Sequence, residues 1–248
     1  MIFKPPKAAR RHLKTMDTTD KSILMKKILT GLLLSILTLT ASAQFGPGPD
    51  YGFRLGLAAN PTIGWVKPES GTSNGANLGF SYGLLADFNF TRNYSFSTGI
   101  SITTINGKST EIDPSRYYDA ITYPDPTPYD LKYMLQYVEI PLTVKLRTEK
   151  IGYVRWYGQF GLSNGFLTSA KQDASVNGKS IAENAHVNKD INFYRAGLII
   201  GGGVEYDVAR NTSVTTGLTY NNGFTNISSN SNTSVRNHYI AINFGVFF

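Results

Sequence analysis

The stretch that decides the fold is His238-Tyr-Ile-Ala-Ile-Asn-Phe-Gly-Val-Phe-Phe248, the last of the chain. Successive side chains of a β-strand point to opposite faces, so this stretch separates into two sets with a period of two. One set is bulky and apolar: Ile240, Ile242, Phe244, Val246 and Phe248. The other is small or mixed: Tyr239, Ala241, Asn243, Gly245 and Phe247. Such a strand is typical of a membrane-spanning β-barrel, in which the apolar face contacts lipid.

The same alternation recurs along the chain and predicts eight strands. We place them at 51–65, 78–90, 93–106, 132–147, 152–167, 191–207, 212–224 and 236–248. The polar face is rich in Gly and Ser, which suits side chains that must fit inside a narrow lumen. Aromatic residues stand at the margins of the apolar face, as girdles at two membrane interfaces require. They are Tyr51, Trp65, Phe90, Tyr94, Tyr194, Tyr206 and Phe248.

The predicted connections alternate in length. Those at 91–92, 148–151 and 208–211 are short, whereas those at 66–77, 107–131, 168–190 and 225–235 are long. An up-and-down barrel gives this alternation, with tight periplasmic turns and longer external loops. We therefore predict an all-β fold, an eight-stranded up-and-down antiparallel transmembrane β-barrel over residues 44–248. It would lie in the outer membrane of a Gram-negative-type bacterium, with both termini periplasmic and a lumen filled by side chains.

The N-terminal region resembles an export signal. Residues 25–43 combine a basic start at Lys26 and Lys27, an apolar run over 28–39 and the small-residue site Ala41-Ser42-Ala43. The apolar run is too short to span a bilayer comfortably, which disfavours the alternative of a retained membrane anchor. Since such signals place their charges at the very start, we predict that translation begins at Met25. Residues 1–24 would then be a non-native upstream extension.

Charge and cysteine content exclude several classes of function. The formal net charge is +7, but residues 1–43 hold eight Lys or Arg and two Asp, so the remainder has 16 basic and 15 acidic residues. The high net charge therefore predicts no nucleic-acid partner. The chain contains no cysteine, which excludes disulfides and thiolate chemistry.

Two details within the strands carry expectations of their own. Pro141 lies inside the fourth segment and predicts a local bulge, because proline cannot donate to a β-ladder. Gly201-Gly-Gly-Val-Glu205 opens no helix, so it does not predict a phosphate-binding turn. We expect its glycines to make room in the lumen or to kink the strand.

The chain resembles the PorT-type outer-membrane β-barrel protein family over residues 44–248. Three stretches carry the resemblance: the signal ending Ala-Ser-Ala-Gln44, the opening Tyr51-Gly-Phe-Arg-Leu-Gly-Leu57, and Tyr137-Val-Glu-Ile-Pro-Leu-Thr-Val-Lys-Leu146. The resemblance implies an outer-membrane β-barrel. Because the founding member of that family is implicated in protein secretion, it also implies one alternative role, as an accessory component of a protein-secretion or envelope-assembly complex.

Charged side chains on the predicted lumen face are the first candidate site. They are Arg54, Asp87, Glu139, Lys145, Arg147, Arg155, Arg195 and Glu205. Buried charges must be paired, so these residues form either a salt-bridge plug or an ion path or ligand site. Strand direction predicts that five of them share the periplasmic half of the barrel: Arg54, Asp87, Lys145, Arg155 and Glu205.

The predicted external loop 107–131 is the second candidate site. Its tyrosines, Tyr117, Tyr118, Tyr123 and Tyr129, are interleaved with prolines, which restrict the backbone and lower the entropy of ordering. Exposed tyrosines are good contact residues for a protein or a sugar. The alternative is a stiff rim loop without a ligand.

No motif predicts catalysis, a cofactor or a metal. A rim-located enzyme would need His186 or His238 beside Ser229 and loop acids such as Asp130, and no spacing supports that set. We therefore predict a non-enzymatic protein with a structural or interaction role through its external loops. The expected partners are outer-membrane lipid, the barrel-assembly machinery during insertion, and an envelope protein or glycan. A soluble ligand-binding barrel is the other alternative; it would require the large apolar side chains to crowd inward.

Overall fold

The computed structural model describes residues 52–112, 127–209, 211–229 and 234–248. These residues form nine antiparallel strands. The strands are β1 (Gly52–Pro68), β2 (Gly71–Asn89), β3 (Tyr94–Ile112), β4 (Pro128–Arg147), β5 (Val154–Val176), β6 (Lys179–His186), β7 (Tyr194–Ala209), β8 (Thr212–Gly223) and β9 (Val235–Phe247). Across this described part of the chain, no helix is long and apolar enough to cross a membrane. The predicted signal peptide and upstream extension lie outside the described residues.

Eight of the strands close into a ring, which confirms the predicted barrel. Neighbours in the chain pair with each other from β1 to β5 and from β7 to β9, β5 pairs with β7, and β1 pairs with β9. The ninth strand, β6, pairs only with the far end of β5. The sequence did not predict β6, because this strand falls inside the predicted loop 168–190.

The two ends of the ring differ. At one, which we call the short-turn end, residues 90–93, 148–153 and 210–211 connect the strands. At the other, the long-hairpin end, strands continue through stretches predicted as loops. Only Glu69 and Ser70 separate β1 from β2, and β5 runs for 23 residues. Since about 9–11 residues of a tilted strand span a bilayer, the strands β1 to β5, of 17 to 23 residues, extend well beyond one. The predicted loop bounds at 66–77, 107–131 and 168–190 were therefore wrong.

Large apolar side chains cover the outside of the ring around its middle. On the terminal strand β9, Ile240, Ile242 and Phe244 are exposed, whereas Tyr239 and Phe247 are buried. The predicted assignment of its two faces is confirmed. The exposed set on the other strands includes Leu57, Leu84, Ile100, Leu142, Phe160, Ile200 and Leu218. A belt of this size facing outward has no place on a soluble barrel, so the soluble ligand-binding alternative is wrong.

The polarity of the two faces inverts along β4. Val138, Ile140, Leu142, Val144 and Leu146 point outward, and Glu139, Thr143, Lys145 and Arg147 point inward. Towards the long-hairpin end the outward side chains are polar, as with Asp130, Lys132 and Gln136. The inward ones there belong to an apolar core: Tyr129, Leu131, Tyr133, Leu135 and Tyr137. The barrel is thus a membrane barrel at one end and resembles a water-soluble barrel at the other.

Two local expectations have different outcomes. Pro141 pairs in continuous register with Ser163 of β5, and the shift in the β4–β5 ladder lies at Gln136/Tyr137, so the predicted bulge at proline was wrong. Gly203 does make room in the lumen. A Cβ atom on Gly203 would lie 2.8 Å from the hydroxyl of Tyr157, whose ring occupies the barrel interior.

Candidate functional site in the lumen and on the long hairpins

A cluster of ion pairs fills the lumen at the short-turn end; we call it the basal cluster. It consists of Arg54, Asp87, Lys145, Arg147 and Glu205, all buried. Arg54 bridges the two carboxylates, donating from Nη2 to Asp87 Oδ2 at 2.9 Å and from Nη1 to Glu205 Oε1 at 2.6 Å. Lys145 Nζ lies 3.2 Å from Asp87 Oδ2 and 3.7 Å from Glu205 Oε2. These contacts join β1, β2, β4 and β7 across the ring.

The arginines Arg147 and Arg155 lie at the same end. Arg147 Nη1 is 3.8 Å from Glu205 Oε1, and its Nη2 donates to Asn89 Oδ1. Arg155 is buried and is the register partner of Glu205 across β5 and β7. The structure therefore places together all five charges that strand direction predicted in one half. It adds Arg147, for which no half was predicted.

Aromatic rings pack against the cations of the basal cluster. The guanidinium of Arg54 lies 4.7 Å from the ring centroid of Phe247, and Lys145 Nζ lies 4.6 Å from that of Tyr157. Cation–π contacts of this kind stabilise a charge that is removed from water. Sequence reasoning gave these rings no role. Their size could have indicated this role, because each is a large aromatic residue on a strand face whose other residues are small or polar.

A second polar layer crosses the middle of the lumen; we call it the mid-lumen layer. Arg195 Nη1 donates to Glu139 Oε1 at 3.1 Å, and the hydroxyl of Tyr239 donates to Glu139 Oε2 at 2.7 Å. The other guanidinium nitrogens of Arg195 donate to Asn237 Oδ1 at 2.5 Å and Asn221 Oδ1 at 2.9 Å. Glu139 and Arg195, both predicted lumen residues, thus form a pair separate from the basal cluster.

A cavity of ≈ 130 Å³ separates these two layers. Its walls include Asp87 and Lys145 of the basal cluster, and Glu139 and Tyr239 of the mid-lumen layer. The volume exceeds what one water molecule needs, and the walls carry charged and hydroxyl groups among apolar ones, so the cavity can hold ordered water. Side chains of the basal cluster lie on one side of it, and those of the mid-lumen layer lie on the other.

The long-hairpin end contains a buried carboxylate that sequence reasoning missed. Glu111 on β3 is fully buried and accepts hydrogen bonds from Tyr133 Oη at 2.7 Å and Ser109 Oγ at 2.9 Å. The residue had been assigned to the external loop 107–131. Its period-two spacing from Thr103 and Ile105, which are both buried, is the signal that would have placed it in the barrel interior.

A polar groove of ≈ 520 Å³ lies at the long-hairpin end, lined by residues from β2 to β6. Its lining includes Asn74, Asp130, Lys132, Asp173, Ser180 and Glu183. Lys132 and Asp173 form a partly exposed ion pair at 3.2 Å, and Ser180 Oγ donates to Glu183 Oε1 at 3.2 Å. The groove therefore presents carboxylates, hydroxyls, an amide and a lysine close together.

The sequence of the chain matches one family model. Residues 43–229 fit the model of the outer membrane protein beta-barrel domain. This match covers more than half of the chain, and the closed ring with an apolar outer belt agrees with it. The chain belongs to the outer-membrane β-barrel domain family. It is accordingly a protein of the bacterial outer membrane.

Solved structures similar to this outer-membrane barrel include three from different bacteria. Neisserial surface protein A is 16% identical, with 79% of this chain and 96% of that chain covered and a TM-score of 0.45. OprG from Pseudomonas aeruginosa is 13% identical, with coverage of 81% and 98% and a TM-score of 0.45. Ail of Yersinia pestis is 14% identical, with coverage of 79% and 99% and a TM-score of 0.34. Among curated proteins no match is found.

The tyrosines proposed as external contacts divide into two groups. Tyr117, Tyr118 and Tyr123 lie outside the described residues. Tyr129 lies on β4 with 8% of its surface exposed, within the apolar core of the long-hairpin end. The expectation that Tyr129 is an exposed loop residue was therefore wrong. Its spacing of two from Leu131 and Tyr133 puts it on the inward face of β4.

The two histidines that a rim-located enzyme would use lie on strands that do not pair with each other. His186 is exposed on β6, and His238 on β9 stacks on Trp65 with ring centroids 5.8 Å apart. Ser229 donates its hydroxyl to the carbonyl of Lys189. Over the described ranges, no three His, Cys, Asp or Glu side chains are close enough together to hold a metal ion.

Proposed function

We propose that this outer-membrane barrel is a non-enzymatic anchor that holds a rigid platform outside the membrane, and that the platform binds a partner. The observation that carries the proposal is the inverted polarity of the long hairpins. Beyond the apolar belt, their inner face packs as a core around Leu131, Leu135 and Val66, and their outer face is polar. A barrel that only crosses the membrane does not need strands that continue into water around a second apolar core.

The closed lumen argues against a channel as the main role. An open-pore protein would leave a continuous aqueous path, whereas the basal cluster, the mid-lumen layer and the apolar core follow each other along this lumen. Eight-stranded barrels have interiors just wide enough for side chains to fill. We infer that the ion pairs stabilise the barrel and that recognition takes place on its surface.

The chemistry of the groove favours a hydroxyl-rich partner. Carboxylates, amides and hydroxyls such as those of Asp130, Asn74 and Ser180 can each donate to or accept from sugar hydroxyls. We therefore propose a glycan of the envelope or of a neighbouring surface as the partner of the groove. The other interactions proposed are those of any such barrel: lipid around the apolar belt, and the barrel-assembly machinery during insertion.

The glycan proposal can be tested on an array of surface glycans with the purified barrel in lipid nanodiscs. The groove variant would carry Asn74→Ala, Ser180→Ala and Glu183→Ala. A matched control would carry Lys67→Ala and Arg236→Ala, which change exposed polar residues on β1 and β9. We expect one glycan class to bind the wild type and the control, with at least a tenfold loss for the groove variant. Absence of glycan binding, or equal binding by both variants, would refute the proposal.

The second candidate function is an accessory role in a protein-secretion or envelope-assembly complex. It rests on the resemblance to the PorT-type family, which we propose as the finer assignment. The motif that carries the resemblance lines the lumen in this barrel, where Glu139 and Lys145 make ion pairs. This candidate predicts a protein partner that copurifies with the barrel and a secretion defect in a deletion strain. Normal secretion in that strain would dispose of it.

We further infer that residues 25–43 export the chain and that the short-turn end faces the periplasm. Since the chain has no cysteine, single-cysteine variants report orientation without background. Ser180→Cys on β6 and Glu149→Cys in a short turn are both at exposed positions. A membrane-impermeant maleimide should label Ser180→Cys in intact cells and Glu149→Cys only after lysis. The reverse pattern would overturn the orientation.

A further inference from the structure

The charges of the basal cluster do not balance. Three cations, Arg54, Lys145 and Arg147, surround two carboxylates, Asp87 and Glu205. Within the described residues, no third carboxylate lies within 4.0 Å of any of these cations. The cluster therefore carries a surplus of one positive charge. Burying an uncompensated ion is strongly unfavourable.

The surplus charge falls on Arg147. Its side chain is fully buried, and its Nε and Nη1 have no hydrogen-bond acceptor in the described part of the chain. The nearest carboxylate oxygen, Glu205 Oε1, is 3.8 Å away and already accepts from Arg54 at 2.6 Å. A lysine in this place could become neutral by losing its proton, but an arginine cannot do so in a protein.

A second arginine donor is unused nearby. The Nε of Arg54 is also buried without an acceptor. Arg54 Nη1 and Arg147 Nη1 lie 2.6 Å and 3.8 Å from the same oxygen of Glu205, so the two guanidinium groups are neighbours at the short-turn end. Two neighbouring guanidinium groups with unused N–H donors and one shared carboxylate have more donors than acceptors, an arrangement that favours an added negative charge.

We propose that the basal cluster binds a compact inorganic anion, such as chloride or phosphate, between Arg147 and Arg54. The anion would supply the missing negative charge and accept hydrogen bonds from the unused guanidinium nitrogens. The site is independent of the groove and of any partner on the long hairpins. It predicts that the stability of the barrel depends on the kind of anion present, and that this dependence requires Arg147.

The test is the midpoint temperature of unfolding, read from the gel mobility of unboiled barrel folded in phosphatidylcholine vesicles. Sodium gluconate would be replaced by sodium chloride, and in a second series by sodium phosphate, at constant ionic strength. We expect a saturable rise for the wild type, reaching about 5–10 °C at a hundredfold excess over the dissociation constant. A wild type that responds equally to gluconate and to both inorganic anions would overturn the proposal.

Two variants separate the site from general salt effects. Asn89 accepts a hydrogen bond from Arg147. The substitution Asn89→Asp therefore places a permanent negative charge beside Arg147. This variant should be as stable as the anion-saturated wild type and should no longer respond to anions. Arg147→Gln should also lose the response, and the exposed control Arg236→Gln should keep it. If Arg147→Gln fails to fold, Asn89→Asp decides alone: retention of the wild-type response would refute the site.

Discussion

At the scale of single residues, the barrel interior is organised by charge pairing over long sequence distances. Arg54 and Glu205 are 151 positions apart and yet make the shortest ion pair of the basal cluster, at 2.6 Å. Glu205 lies within 3.8 Å of three cations. It therefore takes part in more ion pairs than any single cation of the cluster does. Removing its charge leaves those cations facing each other.

Glu205→Gln should therefore destabilise the barrel by about 3–5 kcal/mol, the cost of leaving a buried charge without its partner. The measurement is the free energy of unfolding by guanidinium chloride in lipid vesicles. Glu183→Gln, an exposed glutamate on β6, is the matched control and should change stability by less than about 0.5 kcal/mol. Equal stability of the two variants would mean that the basal cluster does not hold the barrel together.

The sequence predicted which residues face the lumen, but not their partners. Period-two alternation put Glu139, Arg195 and Glu205 on the inward face without any knowledge of the ring. Their pairing depends on the stagger of the strands and on ring closure, which no local pattern contains. Tyr129 and Glu111 were missed for a different reason. Each has a polar outward neighbour, Asp130 beside Tyr129 and Thr110 beside Glu111, and the stretch between them was therefore predicted as a loop.

At the scale of elements, β4 shows two environments along one strand. Its outward face is apolar from Val138 to Leu146 and, apart from Met134, polar from Asp130 to Gln136. The alternation of inward and outward side chains continues without a break. The inward side chains, however, change from polar and charged to apolar and aromatic. A pattern that expects one apolar face per strand gives little reason to extend the strand far beyond the change, and the predicted fourth strand began at 132 rather than 128.

Arginine substitutions along β4 should locate the edge of the membrane. Leu142→Arg, in the middle of the apolar belt, should cost about 2–4 kcal/mol, whereas Met134→Arg on the same face should cost about 0–1 kcal/mol. Leu135→Arg, which points into the apolar core, should cost about 4 kcal/mol or more. Unfolding free energies in vesicles measure all three. A Met134→Arg cost as large as that of Leu142→Arg would place the long hairpins inside the bilayer.

At the scale of the whole molecule, the closed lumen predicts the absence of a pore. Successive layers of side chains cross the interior of the described barrel, and the cavity of ≈ 130 Å³ lies between two of them. Purified barrel in a planar bilayer should therefore give no open-channel current steps. A wide porin inserted in the same bilayers is the positive control. Regular current steps from the wild-type barrel would show that the side-chain layers do not block the lumen. They would favour the alternative that the lumen charges line an ion path.

The central claim is that β1 and β9 meet and close the ring. Leu57 and Val246 face each other across this seam, and the absence of cysteine makes the pair Leu57→Cys with Val246→Cys a specific probe. We would treat folded protein in vesicles with a short thiol cross-linker and compare it with Leu57→Cys plus Val144→Cys, on strands that do not pair. The closed barrel predicts a circularised product of altered gel mobility for the first pair alone. Absence of that product in folded protein would show that the ring is open and would contradict the account.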